Sequence, residues 1–121
     1  MEQQNKVSLW VGTVASRSRL NEIMQEVYDD EGDVSSQFME VFKIDYIDNQ
    51  FQEVYFYENL ASKEEAFNGF SYSESFINHI QETNWAEKNS LILLYNFEYD
   101  GNTKSGLGLE FIGVFNFSED Q

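Results

Sequence analysis

Apolar and polar positions alternate first at Val7, Leu9, Val11 and Thr13, which interleave with Ser8, Trp10, Gly12 and Val14. A period of two predicts a β-strand, and apolar residues in both registers predict that both faces are at least partly covered. The period then lengthens. Leu20, Ile23, Met24 and Val27 recur at i, i+3, i+4 and i+7 behind two candidate caps, Ser16 and Ser18, and predict a helix. Asp29-Asp30-Glu31-Gly32-Asp33 ends it, and a short second helix is expected from Ser35, with Phe38, Val41 and Phe42 on one face.

Residues 51–57 fit two patterns. Phe51, Val54 and Tyr55 suit a helix face, whereas Val54-Tyr55-Phe56-Tyr57 has strand composition; a strand is the favoured reading. Ser62-Lys63-Glu64-Glu65 has capping-box spacing for a short helix closed by Gly69. Ser71-Tyr72-Ser73-Glu74 repeats that spacing before Phe76, Ile77 and Ile80. Near the end, Leu91, Leu93, Tyr95 and Phe97 alternate with Ile92, Leu94, Asn96 and Glu98. Leu107, Leu109, Phe111, Phe115 and Phe117 alternate in turn with Gly108, Glu110, Ile112, Val114 and Asn116. The polar, glycine-containing stretch between these runs predicts a β-hairpin. The expected fold class is α+β: an antiparallel β-sheet with a C-terminal hairpin, packed against about three to four helices. The chain holds no proline and no internal repeat, and its 121 residues fit a single domain.

Composition narrows the function classes. Absence of cysteine excludes a disulfide framework and a thiolate zinc site, and it suits a reducing compartment. MEQQNKVSLWVG lacks the basic and apolar regions of a signal peptide, and no run reaches the ~18 apolar residues of a membrane span. The formal net charge is −15, from 22 acidic and 7 basic residues, which is the wrong sign for holding phosphates or an anionic membrane. The excess is uneven. Residues 28–58 carry nine acids against Lys43 alone, a net of −8, and are interleaved with Tyr28, Phe38, Phe42, Tyr46, Phe51, Tyr55, Phe56 and Tyr57. A disordered acidic tail lacks such aromatics, so the pattern fits a folded acidic surface for a basic protein partner, beside the plain alternative of a solvated face.

Tests for chemistry return little. The single histidine, His79, sits at helical spacing from Phe76 and reads as a surface or core-edge residue rather than a base for a nucleophile. With Asp29 in the first position of a calcium loop, Val34 occupies the sixth, where glycine is required. A solvated turn fits that stretch better, as turn chemistry fits Asp100-Gly101-Asn102. Gly106-Leu107-Gly108 precedes strand alternation rather than a helix, so it is not a phosphate loop. Trp10 lies inside a strand pattern and reads as core, while Trp85 suits core or interface. No catalytic residue, metal ligand or cofactor site emerges.

Several segments, taken in order, resemble the immunity protein 22 family. They are Val7-Ser8-Leu9-Trp10-Val11-Gly12, Tyr28-Asp29-Asp30-Glu31-Gly32-Asp33, Phe42-Lys43-Ile44-Asp45-Tyr46, Phe70 to Phe76, and Leu94-Tyr95-Asn96-Phe97-Glu98-Tyr99-Asp100. The similarity runs from Val7 to about Phe117. One departure is the basic start of the first helix, Ser16-Arg17-Ser18-Arg19. The resemblance implies a cytoplasmic bacterial protein of a polymorphic-toxin system that binds and neutralises a cognate protein toxin, frequently a nuclease, without being an enzyme. The candidate toxin-binding residues are Tyr28, Asp29, Asp30, Glu31, Asp33, Asp45, Tyr46 and Asp48. Two other readings stand beside it: an acidic nucleic-acid-mimic binding module, and a small enzyme working with a carboxylate pair.

Overall fold

The first strand is apolar on both sides and becomes the centre of the sheet. In the computed structural model, which describes residues 2–47, 49–57 and 85–117, a five-stranded antiparallel sheet has the order β4-β5-β1-β7-β6. Its strands are β1 (Glu2–Gly12), β4 (Gln52–Phe56), β5 (Ser90–Phe97), β6 (Ser105–Gly106) and β7 (Leu109–Asn116). Two α-helices, α1 (Arg17–Met24) and α2 (Gln37–Phe42), flank a separate two-stranded sheet of β2 (Val27–Tyr28) and β3 (Val34–Ser35). The α+β expectation and the strand reading of residues 51–57 agree with this. The two further helices expected around 62–69 and 71–80, with His79, lie outside the described residues.

Each face of the sheet has its own core. Val7, Leu9, Val11, Leu91, Leu93 and Tyr95 form one with Trp85 and Phe117. Trp10, Ile92 and Leu94 form the other with Leu20 and Ile23 of α1 and Phe38, Met39 and Phe42 of α2. Trp10 is fully buried, as expected, and Trp85 proves to be a core residue as well.

The long C-terminal hairpin is not formed. β5 and β7 both pair antiparallel with β1, one on each side, so they run parallel to each other. Parallel strands cannot be joined by a tight turn and need a crossover. β5 ends near the start of β1, and β7 begins opposite Gly12. The connection after Phe97 must therefore return the length of the sheet. It does so over the Trp10 face, where Tyr99 is buried. The Ser8 hydroxyl donates to Phe97 O at 2.8 Å and accepts from Tyr99 N at 3.0 Å. The Tyr99 hydroxyl lies 3.0 Å from Phe42 O and 2.9 Å from Thr103 O, tying the crossover to α2. β7 does close a hairpin, but with two-residue β6: Ser105 pairs with Glu110 and Gly106 with Leu109. Leu107 (φ 58°) and Gly108 (φ 81°) make its turn, the positive-φ pair that matches the twist of flanking strands.

Strict alternation also fails at two places. Asn96 adopts φ 57°, which moves Phe97 to the opposite face from Tyr95. In β7, Leu9 pairs with Gly113 and Trp10 with Phe111, leaving Ile112 as a bulge. Leu109 and Phe111 thus face the helices, while Ile112, Phe115 and Phe117 face the other core.

The helix starts follow hydroxyl caps. Ser16 Oγ accepts from Arg19 N and Ser36 Oγ from Met39 N, both at 3.1 Å, so Ser16 and not Ser18 caps α1, and Ser36 rather than Ser35 caps α2. α1 stops at Met24 because Gln25 is extended, which places Val27 in β2 instead of on the expected helix face. The basic start of α1 is structural. Arg17 donates to Phe56 O at 3.3 Å and lies 5.3 Å from the Phe56 ring, and Arg19 Nη1 donates to Gln37 Oε1 at 3.1 Å.

Two outcomes test this framework. A Cβ on Gly12 would meet the Gly108 carbonyl and lie 2.8 Å from Leu109 Cα, both backbone, so neither can swing away. Gly12→Ala should cost about 1–3 kcal/mol in urea unfolding, the range for overpacking. Burial holds the Tyr99 hydroxyl above its ordinary value of 10.0. The folded state thus favours the neutral phenol. Its contribution is fully present below about pH 10 and is lost as pH rises through the folded value. The urea midpoint should fall more steeply above pH 10 in the wild type than in Tyr99→Phe; parallel curves would contradict the assignment.

Candidate functional site

The five residues between β2 and β3 build a tight, self-supported tip. Gly32 N donates to Asp29 O at 3.1 Å, and Asp29 N donates to Asp33 O at 2.9 Å. The Asp29 carboxylate replaces a further backbone acceptor: its Oδ1 takes Glu31 N at 2.8 Å and Asp33 N at 2.9 Å. Gly32 at φ 87° completes the reversal, a conformation that costs a residue bearing a Cβ about 1–2 kcal/mol. These bonds make the stretch a β-hairpin loop rather than a helix–loop–helix calcium site.

The chain then turns through α2 toward a second acidic segment. Lys43, at φ 59° and ψ 49°, ends α2 in the left-handed region, and both Lys43 N and Ile44 N donate to Met39 O. Ile44 enters the core beside Met39. The reversal drives the next residues outward, and Tyr46 is 59% exposed. Tyr46 is therefore a surface residue and not core. Tyr28, at 68%, and Val27, at 57%, stand out from β2 in the same way.

These two segments meet. Glu26, Gly32, Asp33 and Val34 of the hairpin region and Met39, Asp45, Tyr46 and Ile47 of the α2 region line one hollow of about 340 Å³. A second hollow of about 280 Å³ lies between the hairpin and the two helices, lined by Glu22, Gln25, Val27, Ser35, Ser36, Gln37 and Glu40. Of the sequence-based candidates, Asp33, Asp45 and Tyr46 share the first hollow. Asp30 and Glu31 are exposed at the hairpin tip, and Tyr28 is exposed on β2. Asp29 is exposed too, but one of its oxygens is committed to the loop itself. Asp48 lies outside the described residues. Sequence reasoning missed Glu26, Val34 and Ile47, and it missed Val27 as a surface residue. An exposed valine one step from a tyrosine becomes a signal only once the helix is known to stop at Met24.

Glu26, Asp33 and Asp45 are exposed around the first hollow, which therefore differs from the dry, closed cleft in which a carboxylate pair does acid–base work. Among the described residues, no cluster of three or more metal-ligating side chains is present, and no helix is long and apolar enough to cross a membrane.

The fold and this surface define an α+β domain that carries an acidic, tyrosine-bearing hairpin outside its main sheet. The Immunity protein 22 family model matches residues 7–118, and the chain belongs to that family. No curated protein and no solved structure matches it significantly.

The division of labour within the loop is testable by amide exchange. Asp29→Ala should remove protection at Glu31 and Asp33 while changing global stability by no more than about 1–2 kcal/mol, the scale of a lost side-chain cap. A Cβ on Gly32 would meet nothing within 4 Å, so Gly32→Ala should cost only the backbone term, about 1–2 kcal/mol.

Proposed function

We propose that this protein binds and neutralises a cognate toxin, a nuclease, by covering the toxin's basic surface with the hairpin tip and the adjoining Asp45–Tyr46 segment. Membership of an immunity-protein family supports a toxin partner. The observation that carries the surface assignment is the convergence of two acidic, aromatic segments, separated in sequence by the whole of α2, on one hollow.

The physical logic is complementary. A nuclease holds phosphates with Lys and Arg, so its substrate surface is positive. An inhibitor of net charge −15 is steered toward that surface, which raises the association rate. Tyr28 and Tyr46 offer large, rigid contact area at low entropic cost and set the dissociation rate once buried. Occlusion needs no turnover, and inhibition acts in the cytoplasm of the producing cell.

The toxin encoded beside this protein provides the test. Co-expression should protect cells. Purified toxin should bind with an association rate that falls steeply between low and high salt. Asp30→Lys, Asp33→Lys and Asp45→Lys should each weaken binding by tenfold or more. Glu87→Lys, at an exposed acid that lines neither hollow, should change it less than threefold. Equal effects at all four positions would refute the surface, and failure to protect would refute the function.

A further inference from the structure

The first hollow has a lining of two chemical kinds. Met39 is buried, and Val34 and Ile47 are half-buried, so these three form an apolar floor. Glu26, Asp33, Asp45 and Tyr46 are exposed and stand around it. Its volume of about 340 Å³ lies at the bottom of the roughly 300–1,000 Å³ range of ligand pockets. That is small for a drug-sized ligand but ample for one long side chain.

An apolar floor under a carboxylate rim selects among ligands. An anion is repelled. A bare metal ion gains nothing from the floor, and the carboxylates form no ligating cluster of three among the described residues. A long cationic side chain uses both parts: its methylenes lie on apolar surface while its charged head meets the carboxylates. Arginine fits better than lysine. Its guanidinium is planar, more weakly hydrated than an ammonium, able to engage a carboxylate through two hydrogen bonds and able to stack on a tyrosine ring.

We infer that this hollow receives a single arginine side chain of a protein partner, with the methylenes against Val34, Met39 and Ile47 and the guanidinium between Asp33 and Asp45 beside Tyr46. The inference rests on the toxin-binding reading only for which protein supplies the arginine. The binding chemistry belongs to this chain and is measurable without any toxin.

The probe is a blocked tripeptide, N-acetyl-Gly-Arg-Gly-amide, titrated into the full chain and followed by amide chemical shifts. Its lysine and citrulline counterparts are run in parallel. Saturable shifts should concentrate at Gly32 to Val34 and at Asp45 to Ile47. A dissociation constant near the millimolar range is expected, about −4 kcal/mol, for so small a ligand. Arginine should bind at least threefold more tightly than lysine. Citrulline, which keeps the shape and loses the charge, should not bind measurably. Asp33→Asn with Asp45→Asn should weaken the arginine peptide at least tenfold, and the unchanged remainder of the spectrum shows that the fold is retained.

Shifts spread equally over Glu22, Glu40, Glu87 and Glu98 would mean diffuse attraction and would overturn the site, as would equal binding of citrulline. If the double variant loses the peptide yet protects against the toxin as well as the wild type, the hollow is not a toxin contact; the assignment of the arginine to the toxin is then overturned, while the arginine site and neutralisation stand. Failure of the wild type to protect, with peptide binding intact, removes the toxin reading and leaves the arginine site.

Discussion

The indole of Trp10 is where the parts of this protein are joined. Its ring centroid lies 5.0 Å from Phe38 and 5.7 Å from Phe42 on α2, 5.2 Å from Tyr99 on the crossover, and 5.0 Å from Phe111 on β7. One side chain of the central strand therefore touches the helix layer, the returning connection and a neighbouring strand. Its Nε1 is buried and has no hydrogen-bond partner among the described residues, at a cost of about 1–3 kcal/mol. Burying a side chain of 150–250 Å² at ~25 cal/mol/Å² contributes about 4–6 kcal/mol, and tilted or edge-on ring pairs add about 0.5–1.5 kcal/mol each. Burial and ring contacts outweigh the orphaned donor, so an apolar nest for the indole is the stable arrangement.

The candidate surface follows from that joint. With Phe38 and Phe42 held against Trp10, α2 has a fixed place and a fixed end. The left-handed Lys43 then has one consequence inward and one outward: Ile44 joins the core, and Asp45 and Tyr46 are presented to solvent. On the other side of α2, the buried Ser36 cap fixes where β3 arrives and hence where the hairpin stands. The acidic tip lies outside the main sheet, where water solvates its charge. Mutual repulsion among Asp29, Asp30, Glu31 and Asp33 is partly offset by the backbone N–H groups that the Asp29 carboxylate accepts.

Much of the fold was legible because it depends on local periodicity. The strand at Val7–Gly12, the helix over Leu20 and Ile23, the strand over Val54–Phe56 and the burial of Trp10 follow from spacing and side-chain type. What could not be read was strand pairing and single-residue turns of the backbone. A strand with two apolar faces belongs inside a sheet, but spacing alone does not say which strands flank it, so β5 and β7 looked like partners of each other. The face switches at Asn96 and Ile112 arise from one positive φ and one extra residue, neither of which alters composition. Val27 fitted the helical period by coincidence, since nothing in a period of 3.6 reports that Gln25 turns extended.

The acidic stretch was legible as charge but not as a site. Nine acids in residues 28–58 look alike in sequence, and the structure gives several of them different physical roles. Asp29 holds the loop. Asp30 and Glu31 are exposed to water at the tip, where salt screens them. Asp33 and Asp45 border an apolar floor, and a charged partner seated there would displace water from both its head and its stem. Partial desolvation strengthens an ion pair relative to the open tip, provided the partner's charge meets its counterpart. On the proposed reading, short-range discrimination belongs to the hollow and long-range attraction to the tip. The exposed side chains around the hollow, Glu26, Asp33, Asp45 and Tyr46, lie outside the core cluster that joins Trp10 to α2, whereas Met39 of its floor belongs to that cluster.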